Sequence, residues 1–401
     1  MKENEPDDHE KIINPRMMLS EEEEMMEDND GAPLLTPPEN NITSRKDFID
    51  YIENRRIRGE LGAFFQVVTA ISTFDDRSIL FQRLKDHKFH IREQYGNLHW
   101  LDVETYDKNL NEKRTIPYFL FFDEASGIHL FLTRARKTDE MPETILSFIN
   151  ETKNISNLWI SPSMMHEIKE DLERKYSNDF QLNYFSAIRN LSAKIKAKKR
   201  PYIQRSFQYT GIDAKITLNE LEYLYGVYPK IIEVNIGARS RFRIDDKGIL
   251  TIKEGETPLV FSILDQIIRM VRPIADAVLS SRYERRKIGG IERWFQHPFS
   301  ITMPNGVSQS IEADLLKEIS DDYWQFLPIS PYVEEEVPYL SSRFIDGQKR
   351  SCFDVEMGRR HANVFPIESM EIGSALRFCQ FFSQQVDIDS RVGIVSEVEP
   401  N

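Results

Sequence analysis

Apolar residues along this chain switch repeatedly between a helical and a strand period. Ser44 and Asp47 form a helix-start signal, and Phe48, Ile49 and Ile52 follow at the spacing that puts them on one helical face. An apolar run over 64–71 reads as a strand, and 77–85 reads as a second helix with Ile79, Leu80 and Leu84 inward. Strands are expected over 88–95, 98–105, 116–123 and 128–133, the last two joined by a turn in which Gly127 supplies positive φ. Helices follow near 140–150 and 163–177, the second placed after Pro162 with Ser163 as its N-cap.

The same vocabulary recurs downstream. Thr217-Leu218-Asn219-Glu220 matches a capping box and predicts a short helix to about Leu224, followed by strands over 231–236, 240–244 and 249–253. Thr257 and Pro258 open the most regular helix, whose face carries Val260, Ile263, Leu264, Ile267, Val271, Ile274 and Val278; Pro273 is expected to kink it. Beyond Gly289-Gly290 come a strand at 299–303, a turn at Pro304-Asn305-Gly306 and a helix from about 310 to 326. Pro328, Pro331, Pro338 and Glu334 to Glu336 mark a surface loop, and strands near 351–357 and 363–367 lead to a closing helix over about 370–384. A strand–turn–strand unit thus precedes a helix at 116–150, 240–280 and 351–384, a pattern compatible with internal duplication.

Runs of strands followed by helices, rather than strictly alternating βαβ units, make the expected fold class α+β with largely antiparallel sheets and packed helices. The expected organisation is an acidic disordered tail over 1–44 and α+β domains over 45–178, 179–288 and 289–392, ending in a disordered 393–401. The middle domain holds a basic segment, 189–205, and the long amphipathic helix, 258–280.

Charge changes this picture at one end. The 401 residues carry a net charge of −13, yet residues 1–44 hold 13 acidic against three basic residues and so account for −10 of it. With five prolines and no periodic apolar face, that segment cannot bury enough surface to offset the entropy of ordering. The remaining chain is nearly neutral, and its 25 Phe and 15 Tyr require a packed core. No stretch has the roughly 18–20 apolar residues of a membrane span, and no basic region followed by an apolar core marks a signal peptide. Two cysteines, Cys352 and Cys379, make neither a disulfide scaffold nor a four-ligand zinc site, which fits a reducing, cytoplasmic setting.

Two features carry candidate chemistry. The stretch 180–212 contains no Asp or Glu but holds Arg189, Lys194, Lys196, Lys198, Lys199, Arg200 and Arg205, interleaved with Phe180, Tyr184, Phe185, Tyr202, Phe207 and Tyr209. Cations neutralise phosphates and aromatic faces stack on unpaired bases, so this composition points to nucleic acid. Arg239, Arg241 and Arg243 alternate with Ser240, Phe242 and Ile244, which on a strand puts three guanidiniums on one face; Glu233, Asp245 and Glu254 are possible partners within the chain. A third cluster, Arg282, Arg285, Arg286, Lys287 and Arg293, reads as a helix C-terminus complementing the macrodipole.

The second feature is a pair of Asp-x-Glu dipeptides on expected strands, Asp102-Val103-Glu104 and Asp354-Val355-Glu356. Two carboxylates on one strand face can share a divalent metal, as phosphodiester hydrolysis requires. Leu101-Asp102-Val103-Glu104-Thr105 resembles the first motif of the DEDD exonucleases, a resemblance of five residues that implies metal-dependent nuclease activity with Asp102 and Glu104 as ligands. The second pair is followed by Met357, not the lysine of an Asp/Glu-x-Lys site.

The sequence therefore supports a non-catalytic subunit that binds nucleic acid through the basic and aromatic surface, with no cofactor, no resident metal and no membrane partner. Two alternatives stand beside it: a metal-dependent nuclease using an Asp-x-Glu pair, and a protein adaptor whose basic surface meets an acidic partner.

Overall fold

The computed structural model describes residues 35–61, 65–74, 76–107, 111–123, 126–189, 197–200, 203–280, 284–288, 291–295, 298–307, 312–334, 339–367 and 370–394. Residues 1–34 of the expected tail, the Gly289-Gly290 pair and the site candidates Lys194, Lys196 and Tyr202 lie outside them.

Ser44 starts the first helix as its sequence requires: its side chain accepts from the Asp47 amide while Asp47 accepts from the Ser44 amide. From that cap the elements run α1 (Arg45–Ile57), β1 (Phe65–Ser72), α2 (Arg77–Asp86), β2 (Phe89–Tyr95), β3 (Leu98–Asp107), β4 (Glu112–Asp123), β5 (Ile128–Thr133), α3 (Glu140–Glu143), α4 (Ile145–Glu151) and β6 (Ile155–Asn157). A middle run follows with α5 (Pro162–Tyr176), β7 (Phe180–Arg189), β8 (Arg205–Thr210), α6 (Ala214–Tyr225), β9 (Tyr228–Ile236), β10 (Ser240–Asp245), β11 (Ile249–Gly255) and α7 (Thr257–Ser280). The last run comprises β12 (Glu284–Ile288), β13 (Ile291–Phe295), β14 (Phe299–Thr302), α8 (Glu312–Ile319), β15 (Phe326–Glu334), β16 (Tyr339–Asp346), β17 (Ser351–Met357), β18 (His361–Pro366), α9 (Ile372–Phe381), which ends in a π-helical turn over Phe382–Val386, and β19 (Arg391–Ile394).

The fold is α+β, with antiparallel sheets and packed helices. Among the described residues an 11-stranded sheet has the order β2-β3-β4-β5-β1-β11-β10-β9-β7-β8, with β6 also on β1, and a six-stranded sheet has the order β15-β16-β17-β18-β14-β19. The pairing of β1 with β11 carries the larger sheet across the expected boundary at 178/179. α1, α5 and α7 supply the buried core on one face of that sheet. Leu80 and Leu84 of α2 and Ile145, Phe148 and Ile149 of α4 cover β1–β5 on the other.

The run β1–α2–β2–β3–β4–β5–α3/α4–β6 and the run β14–α8–β15–β16–β17–β18–α9–β19 have one connectivity. In each, four strands form a meander, the first strand of the run closes antiparallel onto the last of the meander, and a terminal strand pairs with that first strand. The strand–turn–strand–helix units at 116–150 and 351–384 occupy equivalent places in these two runs, whereas 240–280 belongs to the middle run, whose connectivity differs.

Several local expectations are corrected. Ser161, not Ser163, caps α5 through a 3.1 Å bond from the Met164 amide, because Pro162 takes the first helical position. α6 begins at Ala214, so the Thr217 capping box lies inside its first turns. The helix expected over 310–326 ends at Ile319: Asp321 Oδ1 accepts from the amides of Tyr323 and Trp324, and Gln325 has φ +55°, so the chain turns into β15. β15 is built from the segment read as a proline-rich loop, its prolines tolerated because the strand lies on a sheet edge. Arg285, Arg286, Lys287 and Arg293 of the basic cluster after α7 lie on the paired strands β12 and β13 rather than at a helix end, and β19 pairs with β14 across the expected boundary between order and disorder at 392/393.

Candidate nucleic-acid interface

β7 and β8 form the outer edge of the large sheet, with α6 packed beside them. Here the acid-free stretch finds a structural use. The carbonyl end of a helix carries partial negative charge and unpaired acceptors, and the basic residues gather around the end of α6. Gly226, at φ +61°, donates to Glu222 O at 3.0 Å, and the amides of Lys198 and Lys199 donate to Leu224 O at 2.9 and 2.8 Å. Arg189 is buried and donates through Nη1 to Tyr225 O. Burial lowers the Arg189 pKa, and the facing Arg205 guanidinium on β8 lowers it further.

The aromatics are divided between core and surface. Phe180 and Phe185 are buried, Phe185 stacks on Tyr209 at 5.8 Å, and Phe207 leans on Tyr225 at 6.1 Å. Arg205 lies over the Tyr225 ring with its guanidinium carbon 4.7 Å from the centroid. Tyr223 is 63% exposed, with the Lys198 ammonium 3.2 Å from its ring centroid. That ammonium draws the Tyr223 hydroxyl pKa down.

The arginine strand has a different fate. β10 starts at Ser240, so Arg239 belongs to the turn before it and is exposed, while Arg241 and Arg243 share one face opposite the buried Phe242 and Ile244. Both arginines, with Lys253 of β11, converge on the buried carboxylate of Glu233 at 2.8, 2.9 and 3.0 Å. Burial alone raises a carboxyl pKa, but Lys253, Arg243 and Arg241 outweigh it and hold Glu233 below the ordinary range. Arg243 also lies over the ring of Tyr184 at 4.6 Å. Glu233 was among the partners the sequence offered; Asp245 and Glu254 are not in this cluster.

Each Asp-x-Glu pair has its aspartate held by an arginine. Asp102 accepts from Arg92 and from the Trp100 indole at 3.2 Å, leaving exposed Glu104 with Lys113 at 3.8 Å. Asp354 takes a two-pronged bond from Arg343 on the neighbouring strand, at 2.7 and 3.0 Å. Among the described residues no group of three His, Cys, Asp or Glu side chains is placed to hold a metal ion, and no helix is long and apolar enough to cross a membrane.

Comparison with known proteins places this edge within a shared segment. Residues 163–247 match the AF_0896_M family middle domain, a span that runs from the start of α5 to the turn before β11. The chain is also 27% identical over 366 residues to an uncharacterized protein of Archaeoglobus fulgidus, an alignment covering 88% of this chain and 97% of that one.

Proposed function

We propose that the protein is a non-catalytic binding subunit whose β8–α6 edge takes single-stranded nucleic acid. One contrast supports this reading. Arg241, Arg243 and Lys253 are neutralised by Glu233, whereas Lys198, Lys199, Arg200 and Arg205 have no carboxylate partner among the described residues. These four lie beside Tyr223, which is exposed although Lys198 covers one side of its ring, and such a combination of cations and an exposed aromatic suits phosphates and unpaired bases. The near-neutral body argues for a local site rather than general duplex binding. A chain with two cysteines, Cys352 and Cys379, fits a reducing, cytoplasmic setting.

The test is fluorescence anisotropy of a labelled single strand against salt. Four phosphate contacts on a single strand give a log–log slope of about −3. Lys199→Glu with Arg200→Glu is expected to weaken binding on every sequence and to flatten that slope, while Arg241→Gln leaves it unchanged. Tyr223→Ala removes a stacking face and costs about 1–3 kcal/mol of affinity. A surface that ignores single strands at low salt yet binds polyglutamate belongs to an acidic protein partner instead.

A further inference from the structure

The two runs of shared connectivity differ in what covers them, and the difference locates a docking face. In the N-terminal run, α1 sits over the β2–β4 end of the sheet, on the face opposite α2 and α4. Phe48 stacks on Phe121 of β4 with ring centroids 4.5 Å apart, Tyr51 and Ile52 are buried beside it, and Ile42 is bridged to Gly96 at the end of β2. The equivalent seat in the C-terminal run is the outer face of β15–β17, opposite α8 and α9. There Leu327, Ile329 and Tyr332 of β15 and Ile345 of β16 are 51%, 43%, 60% and 37% exposed. Leu327 and Ile345 are cross-strand partners, so their side chains form one apolar spot. A register shift between Ile329 and Tyr332, with Ser330 at φ +49°, opens a hollow of about 420 Å³ beside it, lined by Tyr332, Ser341, Arg343, Asp354, Glu356 and Phe365.

Charge narrows the occupant. Arg343 is neutralised by Asp354, and the exposed Glu356, which lines the hollow, has no cationic partner among the described residues. Arg350 in the β16–β17 turn is the opposing charge. Pro328 and Pro331 strip amide donors from β15, which disfavours a partner that adds a strand to this edge. We propose that the outer face of β15–β17 docks an amphipathic helix of a partner protein, one whose aromatic or aliphatic stripe is flanked by lysine and arginine. In effect the partner supplies what α1 supplies to the N-terminal run. This site is separate from the β8–α6 edge and does not depend on its ligand.

The experiment uses the full chain and a labelled synthetic helical peptide with leucine and phenylalanine on one face and lysine on the other. Saturable binding that tightens at low salt is expected. Ile345→Asp is expected to weaken it at least roughly tenfold, about 1.4 kcal/mol, and Glu356→Lys to reduce its salt dependence. Both side chains are outward, so melting temperature is expected to hold; Leu327→Ser repeats the test if Ile345→Asp lowers it. No saturable binding, equal binding of a peptide with glutamate in place of lysine, or loss of binding only with the control Ile216→Asp on α6 overturns the proposal. Concentration-dependent self-association that Ile345→Asp abolishes also overturns it, assigning the face to a second copy.

Discussion

The N-terminal and C-terminal runs lay out the same strands in the same order, yet their burial patterns look unrelated. β1 and β5 are buried at every position, whereas β16, β17 and β18 alternate buried with half-exposed or exposed residues. The cause lies outside the strands. In the first run α2 and α4 cover one face while α1 and α7 help cover the other, so side chains of both parities are desolvated. In the second, α8 and α9 cover one face and the other meets solvent. Strand periodicity therefore reports what lies over a sheet, not how its strands are connected. Two copies of one topology can carry quite different sequences.

The comparison breaks most directly at its aromatic centres. Phe121→Ala removes a ring sandwiched between sheet and α1 and is expected to cost about 3–5 kcal/mol, whereas Ile345→Thr on the bare face stays within about 0.5 kcal/mol. Urea unfolding of the two variants measures the contrast directly, and similar losses at both sites would mean that the C-terminal face is also covered.

A smaller effect separates buried charge from open charge within the large sheet. Glu233→Gln leaves Arg241, Arg243 and Lys253 without their counter-ion and is expected to cost about 3 kcal/mol. Because the folded-state pKa of Glu233 lies below its unfolded value, its contribution is complete above about pH 4.3 and is lost as pH falls through the folded value. The wild-type stability curve should therefore drop toward that of Glu233→Gln in acid, which unfolding midpoints across pH will show.

The joint between the two runs gives the smallest effect. The Lys349 ammonium, in the β16–β17 turn, donates to the carbonyls of Ile149, Thr152 and Ile155 at 2.8, 3.0 and 3.3 Å. It therefore caps the end of α4, and Gly373 leaves room for its stem, since a Cβ there would come within 2.9 Å of Lys349 Cε. Burial pulls the lysine down to about 8 from 10.5, only partly opposed by Glu371 and Asp346. The folded state thus holds fewer protons than the unfolded state between about pH 8 and 10.5, and stability rises with pH across that window. Lys349→Met should lower stability by about 1–3 kcal/mol near neutrality and remove that rise, both readable from unfolding at several pH values.

Much of the fold was legible in the sequence because its cues are local. Ser44 with Asp47, the Gly127 turn and the long apolar face of α7 each depend on residues a few positions apart. The misreadings came where a local cue met a tertiary rule. Pro328 and Pro331 look like loop residues until β15 is known to be an edge strand, and Ser163 looks like a cap until Pro162 claims the first turn. The pairing of β1 with β11 had no local signal. At the candidate site, composition singled out the basic stretch but could not divide it. Arg189 serves a helix end 36 residues away and Arg241 and Arg243 serve Glu233, whereas among the described residues Lys198, Lys199 and Arg200 are exposed without a carboxylate partner and half-buried Arg205 lies over the Tyr225 ring. Tyr223 went unnoticed because a single tyrosine on a short amphipathic helix carries no pattern.

The Lys349 cap also bears on the order in which the molecule can be completed during synthesis. Its acceptor on Ile149 lies 200 residues earlier in the chain. The N-terminal meander can form while later segments are still inside the ribosome, but β1 gains its β11 neighbour only when residues 249–255 have emerged. The end of α4 must wait still longer, for a lysine in the last quarter of the chain. Until then its carbonyls face water, and the N-terminal half is a finished sheet with an unfinished seam. A nascent chain arrested between β11 and β16 would thus be open at the place where the two related runs later join.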